Sequence, residues 1–445
     1  MRRLVAIWIG KLVFLVGKIT KRQTSSSPGA MALKVCPNLI GDTRKYVRKK
    51  IIVTCGTNGK TTTNNVICSA LEEKGYKVMC NRMGANMLTG AATAYIDSAD
   101  LMGRIDVDYV CLEIDEAYAR VVFKHITPDI MVITNLFRDQ LDRYGELDGT
   151  VKLIDMAIDM ADGVTLVLNA DDPVCSRFGM RPDVKALYYG VSQKVLDGEE
   201  PPKEGKFCPI CGAELVYNFY HYSQLGNYYC PNGDYMRPTP DYEITDVKLA
   251  PPMQFSINGN AMEVNYKGFY NILNLAAVYV ALEAAGESTD NFAELLTAYK
   301  PQTGRMQEFN FNKPVILSLS KNPAGFNQAI STVNSDTRKK DVIIAINDCT
   351  VDGKDVSWIW EVNFPKLKNE NLSTLAVTGI RHYDMALRFK YADIPTDMVT
   401  DSMRDAILAS LNTDSDVVYI MVNYTATYET EAILKELIND WENKA

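Results

Sequence analysis

One short segment constrains the fold of this chain more than any other, because it combines a strand, a glycine turn and a helix start. Residues 49–55, KKIIVTC, are typical of a buried strand, and residues 60–74 of the helix that follows. Between them lie Gly56 and Gly59, which let the backbone curl so that its N–H groups face an anion. Since the helix N-terminus adds a favourable dipole, this segment predicts a phosphate-binding loop.

The side chains of this loop indicate which phosphate it binds. Lys60 has the length to reach β- and γ-phosphates, and the hydroxyl of Thr61 suits Mg²⁺. The common P-loop pattern would place its first glycine at Thr54, so this is a variant of that loop. We expect an ATP site rather than an ordinary glycine turn. The residues predicted to contact the nucleotide are Gly56, Thr57, Asn58, Gly59, Lys60, Thr61 and Thr62.

A magnesium ion also needs a carboxylate ligand. Glu113 ends the β-rich run DYVCLEI (108–114), where an α/β sheet presents residues to a ligand crevice. We therefore predict Glu113 as a Mg²⁺ ligand beside Thr61, with Asp115 and Glu116 as less favoured substitutes. A solvated acidic loop remains the alternative.

Short apolar runs alternate with helical stretches along most of the chain, which predicts an α/β fold with mainly parallel sheets. A stretch rich in Pro, Gly, Tyr and Cys interrupts this pattern and looks like a small insert. The run 254–266 predicts a hairpin that turns around Asn258-Gly259-Asn260. The expected parts are an N-terminal helix and connector (1–47), a central ATP-binding domain (48–303) with the insert (195–242), and a C-terminal domain (304–445).

The first twenty residues are the most hydrophobic stretch of the sequence. Lys11 and Lys18 interrupt them, so no run approaches the roughly 20 apolar residues that span a bilayer. Two interpretations remain open: an amphipathic helix on a membrane surface, or a helix packed on the next domain, which we favour. Residues 23–30, QTSSSPGA, predict a flexible connector.

Charge and cysteine content exclude some classes of protein. With 47 Lys and Arg against 55 Asp and Glu, the net charge is −8, which disfavours a general nucleic-acid binder. The ten cysteines are scattered along a long chain, so we expect reduced thiols and a cytoplasmic location.

Beyond the loop, several segments resemble, in chain order, motifs of the Mur ligases and folylpolyglutamate synthases. They are GTNGKTTT (56–63), LEIDEA (112–117), TNLFRDQLDRYGE (134–146), LNADDP (168–173), GFYNILNLAAV (268–278) and GRMQEF (304–309). The resemblance implies a central Mur ligase-type ATPase domain and a C-terminal Rossmann-like α/β domain that closes over the nucleotide.

The same resemblance implies roles for individual residues. Asn274 would contact the adenine, and Arg305 would reach the phosphates. Asn135 and Asp139 lie in the stretch similar to the family's TN-x-x-x-D-H-L-D signature. Gln140 stands where the family usually has histidine, which leaves the role of this loop open.

Two further segments, SKNPAGFNQ (320–328) and NDCTVDGKDVSWIWEVNF (347–364), together with the insert, resemble the MurT family within this superfamily. That resemblance implies a heterodimer with a GatD-like glutaminase subunit and lipid II as the substrate. ATP would phosphorylate the α-carboxylate of D-glutamate in the stem peptide, and ammonia would displace the phosphate to leave D-isoglutamine. The resemblance thus implies a cytoplasmic protein, with the inner face of the membrane as a place where it would meet this substrate.

This chain has three histidines and no Gly-x-Cys-x-Gly elbow, so it offers no glutaminase nucleophile of its own. The resemblance implies that an aspartate of this chain completes the partner's Cys–His arrangement. The matching positions are Asp348, Asp352 and Asp355, and we favour Asp355 as catalytic, alongside Lys60 and Glu113. Loop carboxylates that cap turns are the alternative. Two tryptophans that follow this loop are candidates for the partner surface or for the core: Trp358 and Trp360.

The insert resembles a zinc ribbon that lacks one ligand. Cys208 and Cys211 are spaced as one zinc-binding half, and Cys230 begins the other. The family's usual fourth cysteine is replaced by Gly233. His221 or Asp234 would complete a zinc site, or the insert folds without metal.

Two other functions remain as alternatives. A stand-alone Mur- or folylpolyglutamate-type ligase would add an amino acid rather than ammonia and would need no partner. A regulatory nucleotide-binding module would have lost catalysis, which the intact Gly59-Lys60-Thr61 and Glu113 disfavour.

Overall fold

The computed structural model describes residues 1–20, 24–41, 43–82, 85–138, 147–196, 205–250, 252–297 and 305–442, without the side chains of Thr297, Arg305 and Glu442. Asp139, Gln140 and the side chain of Arg305 therefore lie outside the described residues. The helices are α1 (Arg2–Ile19), α2 (Ser27–Val35), α3 (Lys60–Glu73), α4 (Leu88–Ser98), α5 (Ala119–Val122), α6 (Leu147–Asp159), α7 (Pro173–Ser176), α8 (Tyr270–Ala284), α9 (Phe292–Thr297), α10 (Pro323–Ser335), α11 (His382–Tyr391), α12 (Met403–Leu411) and α13 (Tyr424–Glu442).

The strands are β1 (Ile51–Cys55), β2 (Val78–Cys80), β3 (Tyr109–Glu113), β4 (Ile130–Ile133), β5 (Thr165–Asn169), β6 (Lys185–Val191), β7 (Val216–Tyr222), β8 (Leu225–Tyr229), β9 (Tyr242–Lys248), β10 (Met253–Ile257), β11 (Asn260–Val264), β12 (Arg305–Asn310), β13 (Pro314–Leu319), β14 (Lys340–Ala345), β15 (Leu372–Thr378), β16 (Met398–Val399) and β17 (Val417–Val422). Short 3₁₀ turns cover Thr43–Tyr46, Arg177–Met180, Ser357–Trp360 and Phe364–Leu367.

The first compact unit contains the described residues up to Phe137 and those from 147 to 297. Its strands pair in the order β11-β10-β9-β6-β5-β4-β1-β3-β2. The strands from β2 to β6 run parallel, while β9, β10 and β11 pair antiparallel to one another. The predicted hairpin is confirmed, since β10 and β11 join through Asn258 and Gly259, both with positive φ, as a two-residue primed turn requires.

The central strands of this sheet are apolar because helices cover both of its faces. Every residue of β1 is buried, and so is every residue of its two neighbours, β3 and β4. Ile51, Val53 and Cys55 pack into one core cluster together with Leu112 and Met131. The parallel strands therefore bring the ends of β1, β3 and β4 to one edge, where the phosphate-binding loop begins.

The second compact unit contains Arg138 and the described residues from 305 to 442. Its strands pair in the order β12-β13-β17-β14-β15-β16, and all of them run parallel except β12, which is antiparallel to β13. Successive residues of β13 pack into two different hydrophobic clusters. Ile316 belongs to the cluster on one side of the sheet, and Val315 and Leu317 belong to the cluster on the other side. Both units thus have the α/β architecture with parallel sheets that the sequence predicts.

The N-terminal segment packs against the first unit, as the favoured interpretation expects. The prediction of a flexible connector over residues 23–30 is wrong from Ser27 onward, where α2 begins. Pro28 stands in the first turn of α2, where its fixed φ suits a helix start. Gly29 then allows a close approach to α4, and its N–H donates to Thr93 Oγ1 at 2.9 Å. Of the helices described, none is both long and apolar enough to cross a membrane.

The expectation of reduced thiols is wrong for one pair of cysteines. Cys68 on α3 and Cys80 at the end of β2 form a disulfide. Helix α3 leads directly into β2, and the chain reversal between them places these two residues side by side. The other cysteines of the described chain are free.

Candidate functional site

The phosphate-binding loop lies between the end of β1 and the start of α3, and its glycines are required by close contacts. Gly56 has a φ of 120°, and a Cβ there would lie 2.3 Å from Thr134 Oγ1. Gly59 has a φ of 85° and caps α3 in the left-handed conformation. Any larger residue at these positions would strain the backbone and collide with a neighbour, so the loop depends on both glycines.

The segment after β4 holds the tip of the loop in place. The N–H of Asn58 donates to Asn135 Oδ1 at 2.9 Å, and Asn135 Nδ2 donates back to the Asn58 carbonyl at 3.0 Å. Thr134 Oγ1 donates to the same carbonyl at 2.7 Å. The hydroxyl of Thr57 donates to the Phe137 carbonyl at 3.0 Å and accepts the Phe137 N–H at 2.9 Å. These bonds give the loop a defined shape, and Thr134 is a contributor that sequence reasoning missed.

The last residue of β5 and the residues that follow it support this segment in turn. Asn169 Nδ2 donates to the Thr134 carbonyl at 3.2 Å. The carboxylate of Asp172 accepts the N–H groups of Leu136 at 2.8 Å and Val174 at 2.9 Å. Asp172 is fully buried, and this burial raises its pKa to about 6. The motif LNADDP therefore acts here as a scaffold for the loop.

A buried ion pair lies behind the same scaffold. Arg237 Nε donates to Asp171 Oδ1 at 2.8 Å, and both side chains are almost fully buried. Asp171 also accepts the N–H of Val191 at 2.9 Å. This pair ties the C-terminal part of the cysteine insert to the segment that follows β5.

Lys60 is buried at the start of α3 and has an acidic partner. Its Nζ lies 3.0 Å from Glu116 Oε1 and also donates to the carbonyls of Gly56 and Thr57. The lysine and the glutamate are 6% and 7% exposed. Sequence reasoning weighed Glu116 only as a substitute metal ligand, because nothing local shows that a residue 56 positions away meets this lysine.

Glu113 lies at the same edge of the sheet. It pairs in register with Thr54 of β1, is 3% exposed, and accepts a bond from Asn86 Nδ2 at 3.4 Å. Asp115 is also buried, at 7% exposure. A series of buried acidic side chains therefore follows β3 beside the loop. Together with the half-buried Thr61, these side chains provide the hard oxygen atoms that Mg²⁺ prefers.

Asn274, on the second turn of α8, meets the other side of the loop. Its side chain is 5% exposed, and its Oδ1 would lie 2.1 Å from a Cβ placed on Gly59. The structure thus brings Asn274 to the loop itself.

In the second unit, the three candidate aspartates occupy different surroundings. Asp352 is 8% exposed, and its carboxylate accepts the Thr425 N–H at 2.9 Å. Asp348 Oδ2 lies 3.9 Å from both Lys354 Nζ and Arg381 Nη1. Asp352 therefore has a structural task at the start of α13.

Asp355 is exposed, unlike Asp352. It accepts the Ser357 N–H at 2.8 Å, and bonding to Ser357 holds the pKa of its carboxyl below the ordinary value. Of the two tryptophans, Trp358 stacks 5.4 Å from Phe326 in the core, while Trp360 is 47% exposed.

The cysteines of the insert lie close together beside the hairpin of β7 and β8. The Sγ atoms of Cys208 and Cys211, that of Cys230 and a carboxylate oxygen of Asp234 lie within 4.8 Å of one another. Gly233 has a φ of 80°, and an added Cβ would meet no atom there. The chain turns at this glycine, and the turn brings Asp234 to the three thiols. His221 is not part of this group, since it is buried against Phe269 with ring centroids 4.6 Å apart, and burial lowers its pKa.

Comparisons with known proteins match both units. The family described as Mur ligase middle domain matches residues 53–206, and the one described as MurT ligase C-terminal matches residues 319–427. The chain is 34% identical to the lipid II isoglutaminyl synthase (glutamine-hydrolyzing) subunit MurT of Staphylococcus aureus (strain COL), over 93% of each chain. It is 30% identical to the subunit of the same name from Streptococcus pneumoniae (strain ATCC BAA-255 / R6), over 92% of each. In structure it is similar to the MurF ligase of Thermotoga maritima in complex with ADP, with a TM-score of 0.66 and 14% identity over 93% of this chain and 85% of that one.

Proposed function

This chain belongs to the MurT family of lipid II isoglutaminyl synthase subunits, and we propose that it amidates the α-carboxylate of D-glutamate in the stem peptide of lipid II. It is a ligase of peptidoglycan biosynthesis. One observation carries the proposal: a chain similar to these subunits over nearly its whole length has a phosphate-binding loop with a buried lysine, Lys60.

We propose ATP as the nucleotide and Mg²⁺ as its metal ion. A triphosphate suits this loop, because the loop runs from the end of β1 into the N-terminus of α3, whose N–H groups and dipole favour an anion. Thr61 and Glu113 would hold the metal, which when bound would neutralise charge on the β- and γ-phosphates. The ADP in the similar MurF ligase of Thermotoga maritima supports a nucleotide in this fold.

Lys60 would change partners when the nucleotide arrives. In the structure its ammonium is neutralised by Glu116 at 3.0 Å. A triphosphate carries more negative charge than one carboxylate, so the lysine would turn from Glu116 toward the γ-phosphate. There it would stabilise the charge that spreads over the phosphoryl oxygens during transfer.

The chemistry follows from the weakness of a carboxylate as an electrophile. An oxygen of the D-glutamate carboxylate attacks the γ-phosphorus of ATP, the bond to the β-phosphate oxygen breaks, and ADP leaves. The nitrogen of ammonia then attacks the carbonyl carbon of the acyl phosphate. Phosphate leaves with the electron pair of the C–O bond, the nitrogen loses a proton, and the amide of D-isoglutamine remains.

For two further residues we propose the roles that the family resemblance implies. Asn274 would contact the adenine, and its position against Gly59 supports a place near the nucleotide. Arg305 would reach the phosphates and add positive charge during phosphoryl transfer.

We propose that ammonia comes from a GatD-like glutaminase subunit in a heterodimer. The name of the relatives, glutamine-hydrolyzing synthase subunit, supports a partner that uses glutamine. Asp355 is the favoured residue to orient the partner's catalytic histidine, because it is exposed and its lowered pKa keeps it ionised. Trp360 would belong to the same partner surface.

The reconstituted complex with its glutaminase, supplied with lipid II, ATP and glutamine, tests the function by the mass of the product. Lys60→Ala should lower amidation about 100-fold or more, since it removes a charge at the transferring phosphoryl group. Lys248→Ala, an exposed lysine on β9, is the control and should keep full activity. An amino acid ligated by the chain alone, with no ammonia incorporated, would overturn the proposal in favour of a stand-alone ligase.

The role of Asp355 is tested by comparing two nitrogen sources. Asp355→Asn should abolish most of the activity with glutamine while leaving activity with added ammonium, because only glutamine hydrolysis needs the partner's histidine. Asp348→Asn, in the same loop, should leave both activities. Equal loss with glutamine and ammonium in Asp355→Asn would indicate a structural role.

We also propose that the insert holds a structural zinc ion through Cys208, Cys211, Cys230 and Asp234. The Sγ atoms of Cys211 and Cys230 lie 3.5 Å apart, a spacing that suits two ligands of one tetrahedral ion. Thiolate sulfur and carboxylate oxygen are both ligand types that zinc accepts. No catalytic role is proposed for this ion.

Metal content and thermal unfolding test the zinc proposal. The purified chain should contain one zinc ion, Cys208→Ser should lose it, and Asp234→Cys should bind it more tightly by restoring four thiolates. Cys349→Ser, a free cysteine of the second unit, is the control and should not change zinc content. A chain free of zinc whose unfolding does not respond to added zinc would show that the insert folds without metal.

Finally, we propose that the enzyme works at the inner face of the cytoplasmic membrane. Its substrate is anchored there by a lipid, and ATP is available on that side.

A further inference from the structure

Helix α1 has two opposite faces with different surroundings. One face packs on the first unit through Ala6, Ile7, Gly10 and Gly17, all buried. The packing is close, since a Cβ on Gly10 would lie 2.6 Å from Ile96 Cδ1. Arg3 anchors the same side, with Nη1 2.7 Å from the hydroxyl of Tyr46. The helix is therefore held in a fixed orientation.

The opposite face is apolar and exposed. Its residues recur every three or four positions and so form one stripe along the helix. We call this stripe the apolar face of α1; it consists of Val5 (39% exposed), Trp8 (52%), Leu12 (59%), Leu15 (56%), Val16 (51%) and Ile19 (73%).

A loop from the body of the first unit extends this surface. Trp8 Nε1 donates to the Leu101 carbonyl at 2.9 Å, which fixes the indole beside the loop that follows α4. Leu101 and Met102 are 68% and 65% exposed. Apolar side chains from two separate parts of the chain therefore share one exposed surface, which is unusual for a face that meets only water.

The charge around the apolar face differs from that of the rest of the protein. Residues 1–41 contain seven Lys and Arg and no Asp or Glu. The whole chain carries −8, so the first 41 residues contribute +7 and the remainder carries −15. By helical periodicity Lys11 and Lys18 lie along one edge of the apolar face, and Arg2 lies at the other. An apolar stripe with basic edges matches the interface of a bilayer that contains anionic lipids.

From this match we infer that the apolar face of α1, with Leu101 and Met102, docks on the surface of an anionic membrane. Trp8, Leu12, Leu15 and Ile19 would enter the boundary between headgroups and acyl chains, and the basic edges would contact lipid phosphates. A second copy of the chain fits less well, because two such helices would bring their basic edges together and neither helix has an acidic residue to pair with them.

The inference deepens the proposed function, since docking would bring the enzyme to a lipid-linked substrate, but it can be tested without turnover. The full chain is sedimented with vesicles of phosphatidylcholine, alone or with one third phosphatidylglycerol. We expect preferential binding to the anionic vesicles, and added salt should weaken it.

Two double variants separate the apolar and the charged contribution. Leu12→Ser/Leu15→Ser should lower partition into anionic vesicles by about tenfold or more, because each serine removes apolar area that enters the bilayer. Lys11→Gln/Lys18→Gln should reduce the preference for anionic over neutral vesicles. The matched control, Met180→Ser/Leu387→Ser, alters exposed apolar residues elsewhere and should bind like the parent. Circular dichroism checks that each variant keeps its fold.

Several outcomes would overturn the inference. One such outcome is that the parent does not sediment with anionic vesicles. Another is that the Leu12→Ser/Leu15→Ser variant binds these vesicles as well as the parent does. A third is that the parent instead forms dimers or captures the glutaminase subunit through this face. If only the Leu12→Ser/Leu15→Ser variant abolished such an interaction, the apolar face of α1 would be assigned to a protein partner. Vesicle binding without amidation would refute only the proposed function, and amidation without vesicle binding only this inference.

Discussion

Substitution of Gly59 by alanine tests how closely the phosphate-binding loop is packed. The new Cβ would lie 2.1 Å from Oδ1 of Asn274, 2.9 Å from its Cγ and 3.2 Å from its Nδ2. All three atoms belong to one buried carboxamide, so either this side chain or the first turn of α3 must move. The φ of Gly59, 85°, adds backbone strain for any residue with a Cβ.

The two effects can be separated with Gly75, which has the same φ of 85° but no atom within 4 Å of its added Cβ. Left-handed strain costs about 1–2 kcal/mol, and the lower entropy of the unfolded chain offsets about 0.4–1 kcal/mol of that. Gly75→Ala should therefore lose about 1 kcal/mol of folding free energy. Gly59→Ala should lose a further 1–3 kcal/mol or so, because overpacking adds to the same strain.

Thermal unfolding and ATP titration measure the outcome. The melting temperature of Gly59→Ala should fall below that of Gly75→Ala by at least about 2 °C, and its affinity for ATP should drop by about tenfold or more, because the N–H groups of the loop shift. Asn274→Ala removes all three colliding atoms, so Gly59→Ala/Asn274→Ala should recover most of the additional stability loss. If Gly59→Ala were no less stable than Gly75→Ala, the packing of Asn274 against the loop would be refuted.

Three further predictions concern the scaffold of the loop. Burial raises the pKa of Asp172 to about 6, so its contribution to stability is complete below pH 4 and is lost as the pH rises through about 6. Asp172→Asn should therefore gain stability relative to the parent by up to about 3 kcal/mol between pH 4 and pH 7 in chemical unfolding, and the opposite slope would contradict this. Arg237→Met should cost about 3–5 kcal/mol because it leaves Asp171 buried without its cation, and adding Asp171→Asn should recover most of that loss. Asn135→Ala, which removes both bonds to the Asn58 backbone, should weaken ATP binding about tenfold in calorimetry, and unchanged affinity would mean that the loop keeps its shape alone.

Elements whose signals are local could be predicted from the sequence. The loop follows from Gly56, Gly59 and Lys60 between a strand and a helix, and the structure has β1 and α3 at those positions. The hairpin of β10 and β11 follows from Asn258-Gly259, which favours two positive φ angles. The prediction of a flexible connector is wrong from Ser27 onward because Ser and Pro are common in loops and equally common where a helix begins.

The candidate site was harder to predict where its residues are far apart in the chain. Sequence reasoning did not connect Glu116 with Lys60, and it could not separate Asp352, which bonds the Thr425 backbone, from the exposed Asp355. For the cysteine cluster it left His221 and Asp234 as alternatives, and the structure brings Asp234 to the thiols.

The sequence by itself determined the α/β class, the place of the phosphate loop and the family, because these depend on residues close together in the chain and on their periodicity. Tertiary structure alone decided which acid neutralises Lys60, which residue packs on Gly59, and that one side of α1 stays exposed while the other is buried. The physical reason is that the fold brings together residues as far apart in the chain as Lys60 and Glu116 or Gly59 and Asn274, and no local pattern records such contacts.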